Sequence, residues 1–263
     1  MGLREFPRKK KEINLWKEQR KISGAHAKQK IALDALKSFL MCNVTIRPDR
    51  PDQWREVLNM PNLIHISKGC GKLDAINSIS TNTQTNPFCI KQFNNKKSNS
   101  ICTKCYSYKS LNGYRKNMIP ALQRNSDLLA TRILAAEEIP QINAVNFRFS
   151  SHGELINQKH LINLVNIARA NPQTNFALWS KQKKIVNAYF RAGRTIPENL
   201  ILVYSNSKID KILETPPRHF HKTFNNVTPL AFLDRQNCTG QQCKTCLRCY
   251  RHNGENVIIE KVK

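Results

Sequence analysis

Three stretches decide the fold: Val145-Asn146-Phe147-Arg148-Phe149, Phe176-Ala177-Leu178-Trp179 and Leu200-Ile201-Leu202-Val203-Tyr204. Each is short and made mostly of residues that suit a pleated, buried surface. Helical patterns follow them, at His160 to Ala170, Lys183 to Ala192 and Ser207 to Leu213. This is the spacing of βα units, and it predicts an α/β fold with a parallel sheet, as a partial or irregular (β/α) barrel. Working outward, Asn62 to Ile66 reads as a first strand and Pro229 to Leu233 as a last one. Ile119 to Glu138 reads as one strong helix. Residues 81 to 101 form a long polar stretch that leads to Cys102, and structureless loops of that length usually carry function.

Three segments are expected. Residues 1–60 read as a basic helical extension that opens with Arg8-Lys9-Lys10-Lys11. Residues 61–235 form the barrel-like core, and 236–263 a cysteine-bearing tail. The chain has 263 residues, 40% of them hydrophobic, which is enough to bury a sizeable core. No run of eighteen apolar residues and no secretory pattern is present, so no membrane span is expected and the predicted location is cytoplasmic. The net charge of +25, from 43 basic and 18 acidic residues, favours a polyanionic partner, chiefly nucleic acid. A solvated lysine-rich surface is the plainer alternative.

Nine cysteines, an odd number, argue against a disulfide framework, and their clustering argues for metal. Cys238, Cys243, Cys246 and Cys249 make a C-x4-C-x2-C-x2-C run. Such spacing lets neighbouring sulfurs converge on one centre. A compact run at x2 spacing favours a 4Fe–4S cluster, with zinc as the alternative. Cys89, Cys102 and Cys105 form an earlier group, with Cys70 upstream. Three thiolates would leave one iron of a 4Fe–4S cluster open; a zinc site completed by Cys70 is the alternative. Cys42 reads as an ordinary buried thiol.

The central strands end in polar residues that would line one mouth of a barrel. Ser151, Gly153 and Glu154 are the candidates for holding a cofactor, and Lys181, His152 and Asn206 the candidate catalytic residues. Helix capping by Ser207 and its like, a surface lysine and a loop histidine are the competing readings.

This ordered set resembles the radical S-adenosylmethionine (SAM) enzymes. Three cysteines in an early loop precede a strand ending in Ser151-His152-Gly153-Glu154, further βα units and a late cysteine group. The resemblance implies a radical-SAM-type barrel, a cluster whose free iron takes SAM, and a second cluster near the C-terminus. The spacing here is C-x12-C-x2-C, and the aromatic residue Tyr106 follows the last cysteine, where those enzymes carry C-x3-C-x2-C with the aromatic before it. The chain is also similar to the gene product eighty-eight family of phages and mobile elements, over roughly residues 62 to 250. The matching residues are Cys102-Thr103-Lys104-Cys105-Tyr106, Phe147-Arg148 through Gly153-Glu154, Leu178-Trp179-Ser180-Lys181 and the C-terminal cysteines. That resemblance implies a bacterial host cytoplasm. Together these features predict an iron–sulfur protein with two 4Fe–4S clusters that acts on or binds nucleic acid. A nucleic-acid-binding protein with purely structural metal sites is the alternative.

Overall fold

The computed structural model describes residues 64–262, all within one unit, Pro61–Lys263. The extension expected over residues 1–60, Cys42 included, lies outside the described residues.

Seven strands form one sheet in sequence order: β1 Ile66–Ser67, β2 Ser78–Ile79, β3 Asn146–Phe149, β4 Asn175–Ser180, β5 Leu200–Ile209, β6 Lys222–Val227 and β7 Val257–Lys261. β1 pairs antiparallel with β2, and every later neighbour is parallel. β1 and β7 are the two edges, so the sheet is open and does not close into a barrel. Strand order never reverses, so no switch point of the doubly wound kind exists among these strands.

The helices are α1 Pro87–Asn94, α2 Tyr106–Asn112, α3 Ile119–Thr131, α4 Gln158–Ala170, α5 Lys183–Arg191 and the short α6 Cys243–Cys246. Strand alternation sorts the core into two clusters. Phe147, Phe149, Phe176, Leu178, Leu200 and Leu202 point to one face and meet Leu128, Leu129, Leu161, Leu164, Val165, Val186 and Tyr189 of α3, α4 and α5. Ala177, Trp179, Ile201 and Val203 point to the other face, where no long helix among the described residues packs on them. There they meet Ile76, Leu247 and Tyr250, with Cys243 and Cys249 packed alongside. The C-terminal cysteine segment is therefore the second layer of the sheet, and its last residues supply β7.

Several expectations are corrected. Ser207 to Leu213 is not a helix. β5 runs through a bulge after Ser205 to Ile209, because Ser100 bridges Lys208 and the Ile209 amide donates to Asn99. Ser207 therefore caps nothing. Pro229 to Leu233 is not a strand: Leu230 and Leu233 are exposed, and the chain turns at Phe232 with a left-handed φ of 55°. The strand there is β6, whose sequence Lys222-Thr223-Phe224-Asn225-Asn226-Val227 reads as polar. Its Lys222 is buried all the same, because its ammonium donates to Asn253 Oδ1 (2.7 Å) and the Glu255 carbonyl (2.8 Å). The polar stretch 81–101 contains α1, which starts at Pro87 behind an Asn86 cap whose side chain accepts from the Cys89 amide. The helix expected from Ile119 to Glu138 stops at Thr131, where Arg132 becomes extended. The first strand is only Ile66–Ser67.

Phe176 is fully buried, with its ring stacked on Phe149 at 4.9 Å between centroids. Phe176→Ala is expected to lower the unfolding free energy by about 3–5 kcal/mol, read by urea denaturation. A loss below about 1 kcal/mol would contradict this packing.

Candidate functional site

The parallel strands deliver polar side chains at their carboxyl ends. The key residue there is Glu154, fully buried in the turn after β3. Its Oε1 accepts from Ser180 Oγ (2.7 Å) and the Leu155 amide (2.8 Å), and its Oε2 accepts from the Lys181 amide (2.8 Å). The turn after β3 is thereby fastened to the end of β4. Burial pushes the Glu154 carboxyl up, against the opposing pull of Lys181 and these three donors. Lys181 turns its ammonium inward to Ser205 Oγ (2.8 Å) at the level of β5. Burial works against its charge, but Cys102, Glu154, Cys105 and Cys89 outweigh it and raise its pKa.

Cys89 sits in the first turn of α1. Asn86 also donates to the Glu154 carbonyl (2.9 Å), which ties that helix start to the same turn. Cys102 lies in the 3-10 turn Ile101–Lys104 and Cys105 directly follows it. Ser100, at the head of that turn, is bridged to β5. The structure thus brings Cys89, Cys102 and Cys105 together. Each is close enough to act electrostatically on the others and on Lys181. Burial is the main cause that raises the Cys89 and Cys102 thiols. Cys70 is not among the groups acting on them. It is exposed and accepts a contact from Arg115 Nη2 at 3.4 Å.

His152 bonds Ser107 Oγ through Nδ1 (2.7 Å) and Arg115 Nη1 through Nε2 (2.8 Å). Because a guanidinium can only donate, Nε2 must accept and Nδ1 must carry the proton. Burial, with Arg115 and Arg148 nearby, lowers its pKa to about 4, so the ring is neutral at pH 7. Gly153 has φ of 77°, and a Cβ there would meet Thr81 at 2.1 Å. Its bare face is filled by the loop after β2, and its amide donates to Thr83. Ser151 Oγ and Thr81 Oγ1 are buried without a partner among the described residues. Asn206 lies apart in its bonding: its amide donates to the Lys211 carbonyl and Asn225, and its oxygen accepts from the Lys208 amide. These bonds hold the turn between β5 and β6.

On the opposite face, Cys238, Cys243, Cys246 and Cys249 line one small hollow, partly open to solvent. Cys238 is pinned to β7 by its amide bond to the Ile259 carbonyl (3.0 Å). Lys72 donates to Cys238 Sγ (2.8 Å) and to Glu260 (2.6 Å). Burial pushes Cys238 and Cys243 up, and Cys249 to about 12. Arg148 works against that rise at Cys243 and Cys249, its guanidinium lying 4.0 Å from the Trp179 ring centroid. Arg148 Nε and the buried Tyr250 hydroxyl have no partner among the described residues. Orphaned buried donors are rare, and these two beside four thiols suit an acceptor-rich group.

The seven thiols of these two groups are free, and no three His, Cys, Asp or Glu side chains among the described residues stand at metal-ligating spacing. Ligation would require the thiols to lose their protons as metal binds. Arg115, Lys72 and Tyr250 were missed by sequence reasoning, whereas Ser205 lay among the polar strand ends. Arg148 carried a signal, as the one charged residue of an apolar strand.

These features define a class: a singly wound, open α/β protein with one thiol group at the carboxyl ends of its parallel strands and another packed on the sheet face opposite α3, α4 and α5. The family model described as Gene product 88 matches residues 67–252, well over half of the chain, and the chain belongs to that family. No curated protein and no solved structure matches it. No helix among the described residues is long and apolar enough to cross a membrane.

The depressed pKa of His152 has a sign. Its unfolded value is higher, so between pH about 6.5 and 4 the unfolded chain binds more protons. Stability is expected to fall as pH falls through that window. His160 and His221 are also lowered to about 4, mainly by burial. His152→Asn should therefore make the rise of unfolding free energy with pH measurably shallower across that window. An unchanged slope would mean that the ring is not held neutral.

Proposed function

We propose that this chain is an iron–sulfur protein of radical-SAM-like type that acts on or binds nucleic acid. The observation that carries the reading is that the helix start bearing Cys89 packs against the turn bearing Cys102 and Cys105, and is tied by Asn86 to the turn of Glu154 at the carboxyl ends of the parallel strands. Three protein sulfurs are the donor set that leaves one iron of a 4Fe–4S cluster open. Such a cluster, with S-adenosylmethionine at the open iron, supplies one-electron reduction and radical generation.

The chain's own residues do the rest. Lys181 offsets the negative charge of the thiolates in an enclosed place, where an uncompensated charge is costly. Glu154 holds Lys181 and Ser180 in register, and the unpartnered hydroxyls of Ser151 and Thr81 are free to bond a polar ligand. Cys238, Cys243, Cys246 and Cys249 would hold the second 4Fe–4S cluster, with Arg148 and Tyr250 as hydrogen-bond donors to it. Zinc is the alternative metal at both places. The basic extension and the charge of +25 support a nucleic-acid partner.

A second reading has its own support. Glu154 is fully engaged within the fold and Gly153 is filled by Thr81, so both motif residues have structural uses. In that reading the metal sites staple loops and no SAM is bound.

Protein purified without oxygen is expected to be brown, and the pair Cys102→Ser with Cys105→Ser should lose about half of its iron. A colourless, zinc-loaded protein would sink the iron–sulfur reading. Under reducing conditions the loaded protein is expected to release methionine and 5′-deoxyadenosine from SAM. If it carries full iron but neither binds nor cleaves SAM, the second reading replaces the first.

Arg148→Met should leave the iron content unchanged and make the reduction potential of the second cluster more negative, because a nearby positive charge favours the added electron. An unaltered potential in electrochemical titration would remove Arg148 from that role.

A further inference from the structure

Between Asp74 and Asp127 the chain carries eight basic residues and no acidic one. This acid-free stretch contains the whole first thiol group. It also contains Tyr106 and Tyr114, which are 59% and 74% exposed. One exposed tyrosine needs no explanation. These two are joined, their hydroxyls 2.6 Å apart. The Arg115 guanidinium lies 5.6 and 5.5 Å from the two ring centroids. Arg115 is in turn held by His152 and Cys70, which anchors the cluster to the turn that carries Gly153 and Glu154. Tyr106 directly follows Cys105, and Lys104, Lys109 and Lys116 are exposed around the pair.

Aromatic faces that are open to solvent, fixed in place and ringed by cations are what unpaired bases and their phosphates require. A duplex hides its bases from such faces. An acidic protein would use the lysines and leave the rings idle.

We propose that Tyr106, Arg115 and Tyr114 form a docking platform for single-stranded nucleic acid at the mouth of the first thiol group. Bases stack on the two rings, and phosphates meet Lys104, Lys109 and Lys116. The proposal rests on the nucleic-acid reading above and assigns it a surface.

The test uses the full-length protein and fluorescent oligo(dT) and oligo(rU) strands of about 12 nucleotides, within the usual range of site sizes. A duplex of equal length and polyglutamate serve as competitors. Single strands are expected to bind in preference to duplex, and polyglutamate to compete poorly. Tyr106→Ala with Tyr114→Ala should weaken single-strand binding about tenfold or more, while Phe at both positions should retain it. Lys104→Gln, Lys109→Gln and Lys116→Gln together should reduce the slope of log affinity against log salt by about two. Unchanged iron content and circular dichroism exclude misfolding as the cause. If the wild type binds the strands and the double alanine variant binds equally well, the platform is refuted while the nucleic-acid reading stands. If the wild type binds the duplex but neither single strand, the platform is refuted while the nucleic-acid reading stands; if it binds no nucleic acid, or polyglutamate competes as well as the oligonucleotides, the nucleic-acid reading itself fails.

Discussion

The Glu154 carboxylate, buried beside the Lys181 ammonium, is the constraint on which the rest of this architecture leans. A carboxylate this deep is tolerable only when its oxygens are met by donors and its charge by a cation. Ser180 and the Leu155 and Lys181 amides meet the first condition, and the charge of Lys181, whose ammonium bonds Ser205, acts toward the second. The partners lie in the turn after β3 and at the end of β4. The turn after β3 becomes attached to the end of β4, Lys181 reaches Ser205 on β5, and Asn86 hangs the start of α1 on the Glu154 carbonyl. Cys89 is carried to the strand ends by that last link. The fold and the first thiol group are thus parts of one bonded structure.

The second group obeys a different logic. In sequence order, parallel strands with helices on one side leave the other side of the sheet bare. Here Ala177, Trp179, Ile201 and Val203 form that bare face, and Leu247 and Tyr250 cover it. The cysteine segment is therefore part of the hydrophobic core, and Cys249 is pushed far from its ordinary pKa by that burial. Arg148, stacked on Trp179, brings a positive charge into the same layer. Chemistry and packing are inseparable at this face. A substitution of Leu247 or Tyr250 will disturb the layer as well as the thiols.

Much of this was legible in advance. The alternation in Phe147-Arg148-Phe149 and the run from Leu200 to Tyr204 mark strands because burial on a pleated sheet leaves a period of two or an unbroken apolar run. The cysteine groups were legible because four thiols in twelve residues have little other use. β6 was not, since Lys222, Asn225 and Asn226 read as surface residues. They are buried because Asn253, Glu255, Asn206 and Leu213 answer their polar atoms. The helix expected after Tyr204 was also lost, because the bridge from Ser100 to Lys208 extends β5. Both failures have one cause: partners distant in sequence override local preference.

The sequence alone determined which residues could be strands, which thiols belong together along the chain, and how strongly basic the protein is. Those properties are set by neighbours a few positions apart or by simple composition. Only the tertiary structure decided that the sheet stays open, that the helix start of Cys89 packs against the turn of Cys102 and Cys105, and that the late cysteines form a layer of the core. Each of these depends on side chains tens of residues apart satisfying one another's charge, hydrogen bonds or apolar surface, and no local pattern records that.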